Sequence, residues 1–161
     1  CSTVNSYNGL VPRVGGFEGG TVTWAPTNIT YGHNNRSAQF RLPQNRYCIE
    51  NRAADMTMNV YLAFSMTLSA AVEGIKNKIH PGKPTDQDLY NMTDSEFKKL
   101  GIKRLPKNLL MALEALKNDK MSDEVIGSVM KKSLLAYKND EWERYHQAVT
   151  DWEVKEYLRL Y

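Results

Sequence analysis

The sequence has little cysteine, little charge imbalance and no long apolar run, and each shortage removes a class of protein. Two cysteines, Cys1 and Cys48, among 161 residues give neither a disulfide framework nor zinc-site spacing. A cytoplasmic, reducing setting is therefore the default expectation. The net charge of +3 is too small to argue for a nucleic-acid partner or a membrane surface. No apolar stretch is long enough to span a bilayer; residues 60–72 come nearest and are interrupted by Ser65, Thr67 and Ser69. The glycine-rich segment 11–20 is not a phosphate-cradling P-loop, because no Gly-Lys-Ser/Thr follows it. Internal repeats and low-complexity tracts are absent. The chain starts at Cys1 without a methionine, in structured-looking sequence, which suggests a segment of a longer protein or a partial reading frame.

What is present suits one globular domain: 42% hydrophobic and 24% charged residues in a length that can bury a sizeable core. The organising stretch is 34–52, NNRSAQFRLPQNRYCIENR. In 37–42, Ala38, Phe40 and Leu42 fall on one face and Ser37, Gln39 and Arg41 on the other, because strand side chains alternate with period two. Pro43-Gln44-Asn45 reads as a turn. The alternation resumes in 46–52, with Arg46, Cys48, Glu50 and Arg52 on a common face. Paired as a hairpin, the two runs bring Arg41, Glu50 and Arg52 to one surface, with Arg36 at its edge. That surface is either the solvated side of a sheet or a site for anions, since Arg grips carboxylate and phosphate through a planar fork of donors. Glu50 could neutralise the arginines or hold a metal ion through oxygen.

Around this stretch the chain divides into strands and site loops over 1–56 and a mainly helical part over 57–161. Segment 11–20, with four glycines, is either a flexible connection or a flap carrying one acid, Glu18. Residues 21–25 and 29–31 read as short strands, with Trp24 in the core. Residues 57–79 recur at helical spacing (Val60, Phe64, Leu68, Val72, Ile75, Ile79) and predict a buried helix capped by Asp55 or Thr57. Met56, Met58 and Met66 read as core filler. A polar connection over 85–104 carries a turn of helix at 95–100. Pro106 opens a helix over 107–117, and Ser122 caps a third that breaks or kinks at Asn139-Asp140. Trp142, Tyr145, Val149, Trp152 and Leu158 continue near helical spacing. The fold class is α+β, helices packed against an antiparallel sheet.

Several phrases in order resemble the glutamine synthetase superfamily: Asn5-Ser6-Tyr7 with Leu10-Val11-Pro12, Asn35-Arg36-Ser37-Ala38, Arg41-Leu42-Pro43, Ile49-Glu50-Asn51-Arg52, Asn59-Val60-Tyr61-Leu62-Ala63-Phe64 and Glu73-Gly74-Ile75-Lys76-Asn77-Lys78-Ile79 with Pro81-Gly82. They cover essentially the whole chain. Pro26-Thr27-Asn28-Ile29-Thr30-Tyr31-Gly32 and Val149-Thr150-Asp151-Trp152-Glu153 are similar to the γ-glutamylmethylamide synthetase-like branch.

The resemblance implies the C-terminal part of a catalytic domain, a partial barrel of antiparallel strands with helices, without the family's amino-terminal β-grasp domain and the first half of the barrel. It implies an ATP-dependent ligase that joins glutamate to ammonia or a small amine through γ-glutamyl phosphate, with Mg2+ or Mn2+, in a cytoplasmic homo-oligomer. Residue by residue, Arg41 matches a nucleotide-phosphate arginine and Arg36 an arginine near both phosphate and glutamate. Arg52 matches a glutamate-binding arginine, Glu50 a metal ligand and Glu18 the flap acid. Asn8-Gly9 stands where many members have Lys-Arg, and Cys48 where an arginine near the nucleotide is common. Those two departures keep a second reading open, a non-catalytic structural or regulatory relative. Tyr90 lies where some bacterial members are adenylylated and reads here as an ordinary loop residue.

Overall fold

Strand β1 (Asn28–His33) lies beside β2 (Ala38–Leu42), and β2 beside the two-residue β3 (Glu50–Asn51), in the order β1-β2-β3. The computed structural model describes residues 25–90 and 92–160. The expected strand over 21–25, the core position of Trp24, the segment 11–20 with Glu18, and Gly9 lie outside the described residues, apart from Ala25, which is not in a strand.

The sheet is mixed, which corrects the antiparallel expectation. β2 and β3 are antiparallel, but β1 and β2 run parallel although only residues 34–37 join them. Parallel neighbours ordinarily need a crossover of a dozen residues or more. Here Asn34 takes a left-handed φ of 51°, which asparagine tolerates, and the chain doubles back so that Ala38 restarts opposite Asn28. Asn35 holds that return: its Nδ2 donates to Thr85 O at 2.6 Å and Gln87 O at 2.9 Å, while its Oδ1 accepts from Ser37 N at 2.9 Å. No barrel is formed among the described residues.

The connection 81–105 is more than a linker. Thr85 N donates to Tyr31 O, Ile29 N to Lys103 O and Leu105 N to Thr27 O, each at 2.8–2.9 Å. The outer edge of β1 is thus covered by backbone partners, as an edge strand requires. Leu89 and Phe97 close over Ala38 to make one small core, with Met92 and Ile102 against it. A second core is Leu109 and Leu113, joined by Ala25, Leu105, Leu135 and Trp142.

Among the described residues six helices follow: α1 (Val60–Lys76), α2 (Asp94–Lys99), α3 (Leu109–Asn118), α4 (Lys120–Val125), α5 (Ser128–Gln147) and α6 (Asp151–Tyr157). Their starts are set by caps that differ from several sequence expectations. Asp55 Oδ1 is taken by Thr57, so Asn59 caps α1 by accepting from Leu62 N. Pro106 precedes α3, and Asn108 caps it by accepting from Met111 N at 2.9 Å. Ser122 sits buried inside α4, which Asp119 caps, and the following helix starts after Gly127 at φ 78°. That helix runs unbroken through Asn139-Asp140, because Asn139 bonds back to Leu135 O and Asp140 pairs with Arg144 one turn on. Lys131, 5% exposed, ties α5 to α4 through Asp119 O and Asp123 Oδ2 at 2.7 and 2.8 Å.

Helix α1 has no buried residue, contrary to expectation. Phe64, Leu68 and Ile75 are 67–77% exposed, and Met56 ahead of the helix is fully exposed. The half-buried positions Leu62, Ala63, Met66 and Ser69 lie on the opposite side of the helix from that stripe. An apolar stripe buries only where another element supplies a surface, and none of the described residues does so here.

Candidate functional site

The register of β2 and β3 puts Arg41 directly opposite Glu50. Directly opposed residues in an antiparallel pair share a face and lie within side-chain reach. Arg41 Nη1 donates to Glu50 Oε2 at 2.9 Å, and Arg41 Nη2 donates to Asn34 Oδ1. The other carboxylate oxygen, Glu50 Oε1, accepts from Arg46 Nη2. Both Glu50 oxygens are therefore engaged, each by a different arginine. Hydrogen bonds from Arg41 first and Arg46 second hold the Glu50 carboxyl below the ordinary glutamate value. The bond to Glu50 raises the Arg46 guanidinium above its usual value.

The sign of the linkage follows. A carboxyl lowered in the folded state adds stability that is complete above its ordinary pKa and is lost as pH falls through the lowered folded value. The Arg41–Glu50–Arg46 cluster is thus fully formed at neutral pH and opens only in acid, below the ordinary glutamate range. A pH titration of the Glu50 carboxyl resonance checks this; a midpoint at or above the ordinary value contradicts it.

The hairpin differs from its expected form. The turn is not confined to 43–45, and 46–52 is not a continuous strand. Residues 43–49 are irregular, and only Glu50 and Asn51 pair with β2 as β3. The cause is local: Cys48 N bonds to Arg46 O at 3.1 Å and Arg46 reaches back to Glu50, so the chain coils before it extends. Cys48 is an exposed free thiol.

Arg36 precedes β2 by two residues, and Arg52 directly follows β3. Arg36 is exposed in the β1–β2 connection, and its carbonyl lies 3.5 Å from the Tyr90 hydroxyl, which also donates to Ala25 O at 3.2 Å. Burial pushes the Tyr90 phenol up, and the nearby positive charge of Arg52 opposes that shift. Tyr90 therefore braces the Arg36 segment rather than standing as an ordinary loop residue. Arg52 N donates to Gln39 O at 2.8 Å, continuing the β2–β3 pairing one residue beyond Glu50–Asn51. Beside them a cleft of about 600 Å3 is lined by His33, Asn34, Arg36, Asp86, Asp88 and Tyr90. Asn34 joins the cleft to the cluster, since it lines one and bonds Arg41 in the other. At the rim His33 N donates to Asp86 Oδ1 at 2.6 Å, and that backbone bond chiefly lowers the Asp86 carboxyl.

Two polar atoms of β2, Gln39 Oε1 and Arg41 Nε, are buried without a hydrogen-bond partner among the described residues. Buried polar groups are nearly always paired, so these two atoms are exceptions.

For a divalent cation the arrangement is a contributor and not a complete site. A carboxylate suits Mg2+ or Mn2+, but no group of three or more His, Cys, Asp or Glu is assembled among the described residues. Glu50 fits as one oxygen ligand, provided that Arg46 gives up Oε1.

Arg46, Asn34 and Asp86 were not singled out by sequence reasoning. Asn34 carried a usable signal, as the residue that opens the organising stretch 34–52. Arg46 shared the alternation face with Glu50, but its bond to Oε1 depends on how an irregular loop folds; Asp86 carried no signal, because its role depends on how a remote connection folds back.

Residues 1–157 match the family described as glutamine synthetase, catalytic domain. The chain is similar to a glutamine synthetase of Methanocaldococcus jannaschii, 40% identical over 159 residues, covering 97% of this chain and 33% of that protein. It is similar to a glutamate–methylamine ligase of Methyloversatilis universalis, 41% identical over 161 residues, covering 100% of this chain and 35% of that protein. Among solved structures, a GmaS/ADP complex superposes with a TM-score of 0.79 at 33% identity, covering 98% of this chain and 34% of the other. The chain thus spans about a third of the length of the relatives it matches. No helix among the described residues is long and apolar enough to cross a membrane.

Proposed function

The chain belongs to the glutamine synthetase catalytic-domain family, and from that premise we propose that it is the C-terminal half of the active site of an ATP-dependent ligase joining glutamate to ammonia or a small amine. The reaction proceeds through γ-glutamyl phosphate, from which the amine displaces phosphate. The family match over 157 residues carries this reading. The GmaS/ADP complex and the Arg41–Glu50 pair support it. The rest of the site comes from catalytic-domain segments outside these 161 residues, with a β-grasp domain before them, in a cytoplasmic homo-oligomer.

Phosphoryl transfer asks the protein mainly to position groups and to neutralise phosphate charge. Arg41 does both: its ion pair and its bond to Asn34 fix the guanidinium, and its positive charge neutralises a nucleotide phosphate. Arg36, exposed at the cleft, reaches toward phosphate and glutamate, and Arg52 meets the glutamate carboxylate. Glu50 supplies one oxygen to Mg2+ or Mn2+. When bound, that ion neutralises charge on the phosphates. Glu18 is the flap acid that accepts a proton from the incoming ammonium.

Two outcomes test the reading. Arg41→Ala in the complete ligase weakens ATP binding by about ten- to a hundredfold, the range of a lost charge-assisted hydrogen bond, as measured by nucleotide titration. Unchanged nucleotide affinity rejects the phosphate role. The 161-residue chain alone, given glutamate, ATP and either ammonia or methylamine, releases no phosphate above background, because one carboxylate cannot organise the site. Turnover from it rejects the half-site.

A further inference from the structure

The Glu50 carboxylate is held from two sides by arginines of unequal standing. Arg41 is 18% exposed, lies in a paired strand and has its second Nη on Asn34. Arg46 is 61% exposed and comes from the irregular segment 43–49. Within it, residues 44–49 resist movement weakly: all are exposed, Tyr47 fully and Ile49 to 69%, so moving them uncovers no apolar surface, while Pro43 stays buried at the end of β2. An ion pair with so exposed a partner is worth little against solvent.

We propose that Arg46 is an exchangeable counter-cation that keeps Glu50 Oε1 occupied until a divalent metal ion takes that oxygen, so that metal loading and release of residues 44–49 are one event. This rests on the reading of Glu50 as a metal ligand. The physical reason is competition for one oxygen. A metal ion at Oε1 and a guanidinium donating to the same oxygen repel each other, so each weakens the other's hold. Oε2 stays with Arg41, so the carboxylate remains oriented throughout the exchange. A half-buried carboxylate left with one partner would be costly, and Arg46 removes that cost in the metal-free protein. No bond other than hydrogen bonds and metal–oxygen coordination changes, and no proton moves.

A static role is the competing account, in which Arg46 merely fastens the loop to β3. The two accounts predict opposite changes in metal affinity. The test measures Mn2+ binding to the complete ligase, without nucleotide or glutamate, by the electron paramagnetic resonance signal of the free ion. Wild type, Arg46→Gln and Glu50→Gln are compared. Exchange predicts that Arg46→Gln tightens the Glu50-dependent site by about three- to tenfold, since the displaced charge no longer opposes the ion. Glu50→Gln weakens that site at least about tenfold. An Arg46→Gln affinity equal to or weaker than wild type, with the Glu50→Gln loss present, overturns the exchange and leaves the metal reading intact. A Glu50→Gln protein that binds Mn2+ as wild type overturns the metal reading and the exchange with it. Arg46→Lys, which keeps the charge, stays within about twofold of wild type; tightening equal to that of Arg46→Gln also overturns the proposal.

Discussion

Glu50→Gln in the complete ligase lowers metal-dependent turnover by at least about a thousandfold, the scale of losing one charge-stabilising group in a water-poor site. Gln keeps the size and one carbonyl oxygen, so the β2–β3 pairing and the Arg41–Asn34 bond survive. What is lost is the negative charge that Arg41 and Arg46 share and that a divalent cation requires. The measurement is phosphate release with saturating glutamate, ATP and amine, with circular dichroism to show the fold retained. Turnover within tenfold of wild type rejects the assignment. Arg36→Ala and Arg52→Ala in the same assay place those side chains on the glutamate side if glutamate KM rises more than ATP KM.

Gly32→Ala destabilises the protein by about 2–4 kcal/mol, the scale of an overpacked site that cannot relax. A Cβ at Gly32 overlaps the Thr85 carbonyl oxygen and comes within 2.9 Å of Asn35 Cβ and 3.2 Å of Asp86 Oδ1. The backbone of 85–86 cannot yield freely, because Thr85 N is bonded to Tyr31 O and Thr85 O to Asn35. The substitution therefore strikes the place where the 81–105 connection is fastened to β1, one residue from His33 and two from Asn34. Gly74→Ala is the control: nothing lies within 4 Å of its Cβ in α1, and Ala there stabilises a helix by about 0.5–1 kcal/mol. Chemical denaturation distinguishes them, and equal midpoints for Gly32→Ala and wild type contradict the packing described.

The face shared by Arg41 and Glu50 could be read before any coordinates, because period-two alternation is a local property and both runs carry it. A turn of helix was expected at 95–100, and α2 forms there at Asp94–Lys99 behind the Thr93 cap. Other expectations failed where two local signals competed. Ser122, Asp55 and Pro106 are each plausible helix starts, but Asp119, Asn59 and Asn108 were better placed to accept the unpaired backbone N–H groups. Asn139-Asp140 reads as a break by composition, yet its side chains bond along the helix and let it continue.

The apolar stripe of α1 marks the limit of pattern reading. Helical period shows that Phe64, Leu68 and Ile75 share a face, but not what that face meets; here they are exposed.

By itself the sequence determined the family, through ordered phrases spread along the chain, together with the α+β class and the pairing of an arginine face with one acid. Those features rest on neighbours in the chain or on alternation within a few residues. Only the tertiary structure decided that β1 runs parallel to β2, that residues 81–105 fasten the site loop, and that Arg46 takes the second oxygen of Glu50. These depend on a left-handed turn at Asn34 and on long-range contacts such as that between Leu105 and Thr27, whose energies no local pattern encodes.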